Sequence, residues 1–209
     1  MSEKAEIKYL FEPRGIAVIG ASENPGKIGY RIVENIVSSG YKGEIYPVNP
    51  KGGEALGIRI HRDLSEVEGH PDIAVIAIPA RFVLDAVKEC GKNGVKHLVI
   101  VTSGFSEIGK RAEERALVEA ACRYGMRILG PNIFGIYSAK ASLDATFGPG
   151  GILPGHVAII TQSGALGIAM IGKTAAESLG LSAVVSVGNK SDIDESDLLE
   201  YLADDPNTT

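Results

Sequence analysis

Two glycine-containing turns in this 209-residue chain have the residue types that hold anions. The first is GASENPGKIG at 20–29, between an apolar run that ends at Ile19 and a helical pattern. A strand-to-helix turn of this kind aims free backbone N–H groups and the positive end of a helix at a phosphate. Three readings compete. A Walker A loop needs Ser or Thr after its lysine to hold Mg²⁺, and here Ile28 follows Lys27. A dinucleotide loop needs GxGxxG, and an Asp or Glu after the second strand for a ribose 2′-hydroxyl. The first glycine pair is missing, and the second strand ends in Asn49-Pro50-Lys51. A cation at that place suits a nucleotide whose ribose carries a phosphate. The third reading is a tight turn made by Gly20 and Gly26 with no ligand.

The second turn is Thr161-Gln162-Ser163-Gly164. A serine-hydrolase elbow needs G-x-S-x-G, but Thr161 stands at the first glycine and no His–Asp pair is recognisable. Ser163 suits a helix N-cap, and the free N–H groups behind it suit an oxyanion. Three further strand ends read Ile78-Pro79-Ala80, Thr102-Ser103-Gly104-Phe105 and Gly130-Pro131-Asn132, without an acid. In doubly wound sheets ligands lie beyond the carboxyl ends of the strands. The crevice therefore offers hydroxyls, backbone groups, Lys27 and Lys51 to a phosphorylated ligand. The other reactive types read as structural. His61, His70, His97 and His156 fall at the surface or at strand edges, and Cys90 and Cys122 are small packing residues in helical patterns. The run Asp192, Asp194, Glu195, Asp197 lacks the Gly and closing Glu of a calcium loop, and acids at a helix start are favoured by the dipole. No metal ligand set is read.

Seven short apolar runs must position these turns: Ile16–Ile19, Glu44–Val48, Ile73–Ile78, His97–Val101, Met126–Leu129, Val157–Ile160 and Ala183–Val187. They alternate little in polarity, as strands do when both faces are covered. Helical patterns separate them. In the first, Ile28, Ile32, Val33, Ile36 and Val37 share a face and Gly40 is the stop. The others cover Arg81–Cys90, Ile108–Tyr124, Ser163–Leu179 and Glu195–Ala203. This alternation predicts an α/β, Rossmann-like doubly wound parallel sheet over residues 1–130, with five strands in the order 3-2-1-4-5. Residues 131–156, rich in Gly and Pro, read as an irregular connector. Residues 157–209 hold two strands and two helices, too few to bury a sheet alone, so they read as the start of an incomplete second domain.

Composition narrows the function classes. Apolar residues are 44% and charged residues 22%, an ordinary soluble balance, and the net charge of −5 argues against a nucleic-acid partner. Two cysteines fit a reducing compartment, and four histidines argue against zinc. The N-terminus lacks the apolar core of a signal peptide, and no run approaches the ~20 apolar residues of a membrane span. The expectation is a cytoplasmic small-molecule protein.

Six motifs in register then carry a family resemblance: VIGAS…PGKIG at 18–29, VNPKGGEALG at 48–57, AIPA at 77–80, VTSGFSE at 101–107, GPNIFG at 130–135 and VAIITQSGALG at 157–167, followed by SVGNKSDIDESDLLEYLADDP at 186–206. The chain resembles the CoA-binding domain of the NDP-forming acyl-CoA synthetases, the succinyl-CoA synthetase α-subunit superfamily, and the start of its flavodoxin-like ligase domain. The resemblance is nearest to the α part of ADP-forming acetate–CoA ligases (acetyl-CoA synthetases). It implies an acid–thiol ligase that interconverts acyl-CoA, ADP and phosphate with acid, CoA and ATP through an acyl phosphate and a phosphohistidine. By motif match, Gly20, Ser22, Gly26, Lys27 and Ile28 meet CoA phosphate or ribose groups, and Lys51 is the family's CoA lysine. Pro79 is a further CoA-binding position, Val101, Thr102 and Ser103 lie on the adenine side, and Asn132 lies near the thiol. Thr161, Ser163 and Gly164 form the helix end that steadies the phosphorylated histidine. No histidine of this chain has the family's loop motif, so the resemblance places that residue outside it and leaves the chain alone inactive. Mg-ADP or ATP belongs to a partner ATP-grasp β-subunit or domain, and the complete protein is an oligomer that acts on a small acyl substrate. A CoA-sensing module of a protein acetyltransferase and an NAD(P)-binding Rossmann domain are the alternatives.

Overall fold

The computed structural model describes residues 3–209. Its elements are α1 (Glu3–Phe11), β1 (Gly15–Ile19), α2 (Ile28–Ser38), β2 (Glu44–Val48), β3 (Glu54–Ala55), β4 (Ile58–Arg59), β5 (Ile73–Ile76), α3 (Val83–Lys92), β6 (His97–Ile100), α4 (Arg111–Arg123) and β7 (Arg127–Leu129). Then follow β8 (Gly135–Ser138), β9 (Leu143–Thr146), β10 (Pro154–Thr161), α5 (Gly164–Ala176), β11 (Leu181–Ser186) and α6 (Glu195–Ala203).

The first sheet is parallel, in the order β2-β1-β5-β6-β7. This is a doubly wound sheet, but its strand order is 2-1-3-4-5 and not the expected 3-2-1-4-5. The reason lies in β2. Pro47 has no N–H to donate and is confined to an edge strand; an order with β2 in the interior would ask for that donor. The Pro47 carbonyl on the open side accepts the His61 amide at 2.8 Å. The run at 73–76, buried at every residue, instead pairs directly with β1.

Alternate residues of the buried strands go to opposite cores. Val18, Val75 and Val99 join Ile32, Val33 and Ile36 of α2 on one face. Ala17, Ala74, Ile76, Leu98 and Ile100 join Val83, Val87 and Cys90 of α3 and Leu117 of α4 on the other. The apolar stripe of α2 is narrower than expected, because Ile28 and Val37 are 49% and 40% exposed. Of the two cysteines, Cys90 is packed, its thiol pushed up to about 12 by burial, whereas Cys122 is exposed.

The segment 131–156 is not an irregular connector. It contributes β8 and β9 to a second sheet, ordered β10-β11-β8-β9, in which β10 and β11 run parallel and the rest antiparallel. Apart from Gly135, the first residue of β8, its Gly and Pro residues lie at Pro131 and over 148–155, and leave two four-residue strands between them. The second sheet does not bury itself alone either. Ile136, Leu143, Ala145, Ala183 and Val185 share the core of α2, and α1 and α6 close that core with the Phe11 and Tyr201 rings stacked at 4.4 Å. Asn35 and Ser39 of α2 also cover the free edge of β9: the Asn35 amide donates to the Thr146 carbonyl at 2.9 Å, and the Asp144 N–H donates to Ser39 Oγ at 3.2 Å. An edge covered in this way cannot template a foreign strand. Among the described residues no helix is long and apolar enough to cross a membrane.

His97 is the histidine that departs from the surface reading. It is 1% exposed at the start of β6, and neither ring nitrogen has a hydrogen-bond partner. Burial first, then the charges of Arg127 and Lys96, push its pKa down to about 4 from 6.5. The unfolded chain therefore takes up a proton between pH 6.5 and 4 that the folded chain refuses, and stability falls as pH drops through that window. His97→Leu should flatten the fall, by up to about 1.4 kcal/mol per pH unit. Urea unfolding of both proteins at pH 7 and 4.5 measures it; Asp144, whose carboxyl is raised by burial and acts in the opposite sense, is common to both.

Candidate functional site

The turn after β1 brings two backbones into contact. Gly20 has φ +99°, and a β-carbon there would overlap the Ala77 carbonyl; one on Gly29 would overlap the Gly20 carbonyl. The intervening loop is held by its own side chains: the Asn24 N–H donates to Ser22 Oγ at 3.1 Å and the Gly26 N–H to Asn24 Oδ1 at 2.8 Å. Lys27 is the N-cap residue of α2, with extended backbone and no side-chain cap. The amides of Ile28 and Gly29 consequently have no acceptor among the described residues.

Asn49, where a dinucleotide domain has an acid, uses a donor that an acid lacks. Its Nδ2 donates to the Ala21 carbonyl at 2.7 Å, and its Oδ1 accepts the Lys51 N–H at 3.0 Å. Glu23 reaches across to accept the Glu54 N–H at 3.0 Å. Lys51 thus stands in a turn tied to the glycine loop. Lys27 and Lys51 are both exposed, and neither has an ion-pair partner among the described residues.

The carboxyl ends of β5, β6 and β7 open on a cleft of about 850 Å³. Ile28, Pro79, Val101, Thr102, Ser103 and Asn132 line one side, and Gln162, Ser163, Gly164 and Ala165 the other, over a floor of Phe134 and Phe147. Ile28 of the first turn and Gln162, Ser163 and Gly164 of the second line one cavity. Gly20, Ser22, Gly26, Lys27 and Lys51 lie outside its lining, in the first loop and the turn after β2. Thr161 is outside it too: buried, its Oγ1 accepts the Ser163 N–H at 3.2 Å. Ser163 caps α5 by accepting the Leu166 N–H at 3.3 Å, so the open amides there are those of Gly164 and Ala165. None of the four histidines lines the cleft.

Asn132 follows a cis Gly130–Pro131 bond and has φ +63°. Its amide is held by residues that no local pattern singled out. Asn132 Nδ2 donates to Asn189 Oδ1 at 3.3 Å, and Asn189 Nδ2 donates to Glu107 Oε2 and Glu114 Oε2, each at 2.7 Å. Glu107 also accepts the Phe105 N–H at 3.1 Å and that of Gly104. Burial alone would push Glu107 up, but the bonds from Asn189 and the Gly104 amide hold it below its ordinary value. Glu107 and Asn189 sit inside quoted motifs, yet they lie 82 residues apart in sequence, a separation that only folding closes. The acidic run has structural work: Asp192 and Asp197 pair with Arg127 at 2.8 and 3.1 Å, and Asp194 caps α6.

Residues 14–139 match the model of the CoA binding domain family, and residues 154–209 match that of the succinyl-CoA ligase like flavodoxin domain. The chain is 54% identical over 208 residues to the α subunit of acetate–CoA ligase [ADP-forming] I of Pyrococcus furiosus, which covers 97% of this chain and 45% of that protein. It is 46% identical over 203 residues to acetate–CoA ligase [ADP-forming] of Methanocaldococcus jannaschii, over 97% of this chain and 29% of that one. The solved structure of Ca. Korarchaeum cryptofilum dinucleotide forming acetyl-coenzyme A synthetase 1, in complex with phosphate and ADP, superposes with a TM-score of 0.95 at 51% identity, over 97% of this chain and 44% of that one. The chain spans less than half the length of these relatives.

The glycine contacts make a paired prediction. Gly29→Ala forces the first loop off the Gly20 carbonyl and should cost about 1–3 kcal/mol, as overpacking does. Gly172→Ala, in α5 with nothing within 4 Å of the new methyl, should instead stabilise by up to about 1 kcal/mol. Urea midpoints of the two variants should move in opposite directions.

Proposed function

The chain belongs to the CoA-binding-domain family, and from that premise we propose that it holds CoA across the cleft as the CoA-binding part of an ADP-forming acyl-CoA ligase. One observation carries the reading: Ile28 at the start of α2, Ser163, Gly164 and Ala165 at the start of α5, and Asn132 line the same cavity, and the amides of Ile28, Gly164 and Ala165 have no acceptor among the described residues. A phosphorylated ligand that enters over the first loop therefore has its far end beside a second anion-binding helix end.

The residues fit CoA group by group. The Gly20–Gly29 approach brings backbone amides to the rim, where Ser22, Gly26 and Ile28 meet phosphate or ribose oxygens. Lys27 and Lys51, exposed and without an ion-pair partner among the described residues, supply the charge, Lys51 for the ribose 3′-phosphate. Pro79, Val101, Thr102 and Ser103 form the wall for the adenine side, and the Thr102 hydroxyl, donating to the Ile78 carbonyl at 2.7 Å, fixes two strand ends together. Asn132 faces the thiol end. Ser163 and Gly164 offer the α5 terminus to a transferring phosphate, and Thr161 braces that turn from beneath. Catalysis at this end is positioning and electrostatic stabilisation.

The whole reaction on this reading converts acyl-CoA, ADP and phosphate to acid, CoA and ATP, with a small carboxylic acid as the acyl partner. The phosphate-carrying histidine and the Mg-nucleotide site come from other parts of the complete, oligomeric protein, the nucleotide site from an ATP-grasp subunit or domain. The NAD(P) alternative is disfavoured by Asn49, whose amide is engaged with the Ala21 carbonyl where an acid would meet the ribose. The acetyltransferase-module alternative has no observation in its favour.

Calorimetry should show CoA binding more tightly than dephospho-CoA, with Lys51→Ala removing most of the difference. Lys51 is exposed, so the expected factor is about three- to tenfold, the range of a solvated charge-assisted contact. Equal affinity for the two ligands in the parent chain would remove Lys51 from the site. The chain by itself should make no ATP from acetyl-CoA, ADP and phosphate and take no acid-labile label from radioactive phosphate. A stoichiometric label lost in one His→Ala variant would place the phosphate carrier among His61, His70, His97 and His156.

A further inference from the structure

A second cavity, of about 320 Å³, lies at the other end of α2 and shares no lining residue with the cleft. It sits where α2 meets the edge of the second sheet and the 148–154 segment. Asp144 of β9 lines it and is 3% exposed. Oδ1 of Asp144 accepts from the Thr146 N–H at 3.1 Å and the Thr146 hydroxyl at 2.7 Å. Oδ2 has no partner among the described residues, and no basic side chain faces the carboxylate. Such a group is costly to keep ionised without a counter-charge.

The rest of the wall has the same preference. Tyr137, directly opposite Asp144 in the β8–β9 ladder, is 4% exposed and its hydroxyl has no partner among the described residues. Ser38 and Ser39 bring the C-terminal, negative end of α2 to the cavity. Among the described residues no Lys, Arg or His lines it, while Ala139, Ile152 and Pro154 give it an apolar side. The volume exceeds that of a bare ion and accommodates several non-hydrogen atoms.

We propose that this cavity binds a small organic ammonium ion, its charged nitrogen on Asp144 Oδ2 and the Tyr137 hydroxyl and its carbon chain against Ile152 and Pro154. The ion bridges α2 of the first sheet to β9 of the second, so its binding adds to the stability of the join between them.

The test uses n-butylammonium chloride as the probe, with the 209-residue chain at fixed ionic strength and pH 7.5. Calorimetry should show saturable binding of one ion per chain, accompanied by a rise in melting temperature. Asp144→Asn should weaken it at least tenfold. Ala139→Leu, which fills the apolar side and leaves the carboxylate in place, should block it while CoA affinity stays unchanged. Absence of saturable binding overturns the proposal. So does an equal response to potassium chloride, which would make this an alkali-ion site, and so does unchanged affinity in Ala139→Leu, which decides the matter even if Asp144→Asn does not fold. CoA binding, measured in parallel, stands or falls separately.

Discussion

Gly29 lies so near the Gly20 carbonyl that no β-carbon fits between them, and the position of α2 follows from that approach. The helix starts against the end of β1, and the amides of Ile28 and Gly29 in its first turn are left without acceptors among the described residues. Ile28, the residue that would lengthen its apolar stripe, is left exposed at the cleft wall. Behind it Ile32, Val33 and Ile36 are buried between two sheets. Moving the helix outward to make room for one methyl group would disturb both its N-terminal end and the core that the second sheet shares, because close-packed interiors transmit such shifts.

The second sheet is joined to the first by hydrogen bonds as well as by that core. The 187–193 segment runs beside the end of β7: the Asn189 N–H donates to the Pro131 carbonyl at 3.0 Å, the Ser191 N–H to that of Gly130 at 3.1 Å, and the Ile193 N–H to that of Ile128 at 3.0 Å. Gly188, with φ +52°, permits the approach, since a β-carbon there would meet the Pro131 carbonyl. Through Asn189 the same segment reaches Glu107 and so the loop at Gly104 and Phe105. The cleft therefore has walls from both sheets held in one polar network. Satisfied networks of this kind fix a single geometry, and the cost of leaving any member unpaired keeps them whole.

Charge is distributed to match. Around the cleft the strand ends carry no acid, the two lysines have no ion-pair partner among the described residues, and Glu107 is held below its ordinary value by donors from Asn189 and the Gly104–Phe105 loop. At the opposite end of α2 the polarity reverses, with the helix C-terminus and Asp144 in one cavity. A single helix thus turns the positive end of its dipole towards the side of the cleft and the negative end towards the cavity of Asp144.

Much of this was legible in the sequence. Strands read from β-branched runs and helices from 3.6-residue spacing are local signals, and they located the parallel sheet, the two strand-to-helix turns and the strand ends between them. The six motifs named the family before any contact was known. Even the strand order was written there, in Pro47, although it takes knowledge of which strand is interior to read it. What the sequence could not contain is which distant segments meet. The strands at 135–138 and 143–146 are too short to signal their pairing, and their Gly- and Pro-rich flanks mask them. Asn189 becomes a partner of Glu107 and Glu114, His97 becomes buried, and Thr161 turns inward, for reasons that exist only once two sheets have packed. Residue type and spacing along a chain determine local geometry and charge; burial and long-range partners are properties of the packed molecule, and those decided which of the candidate residues share the cleft.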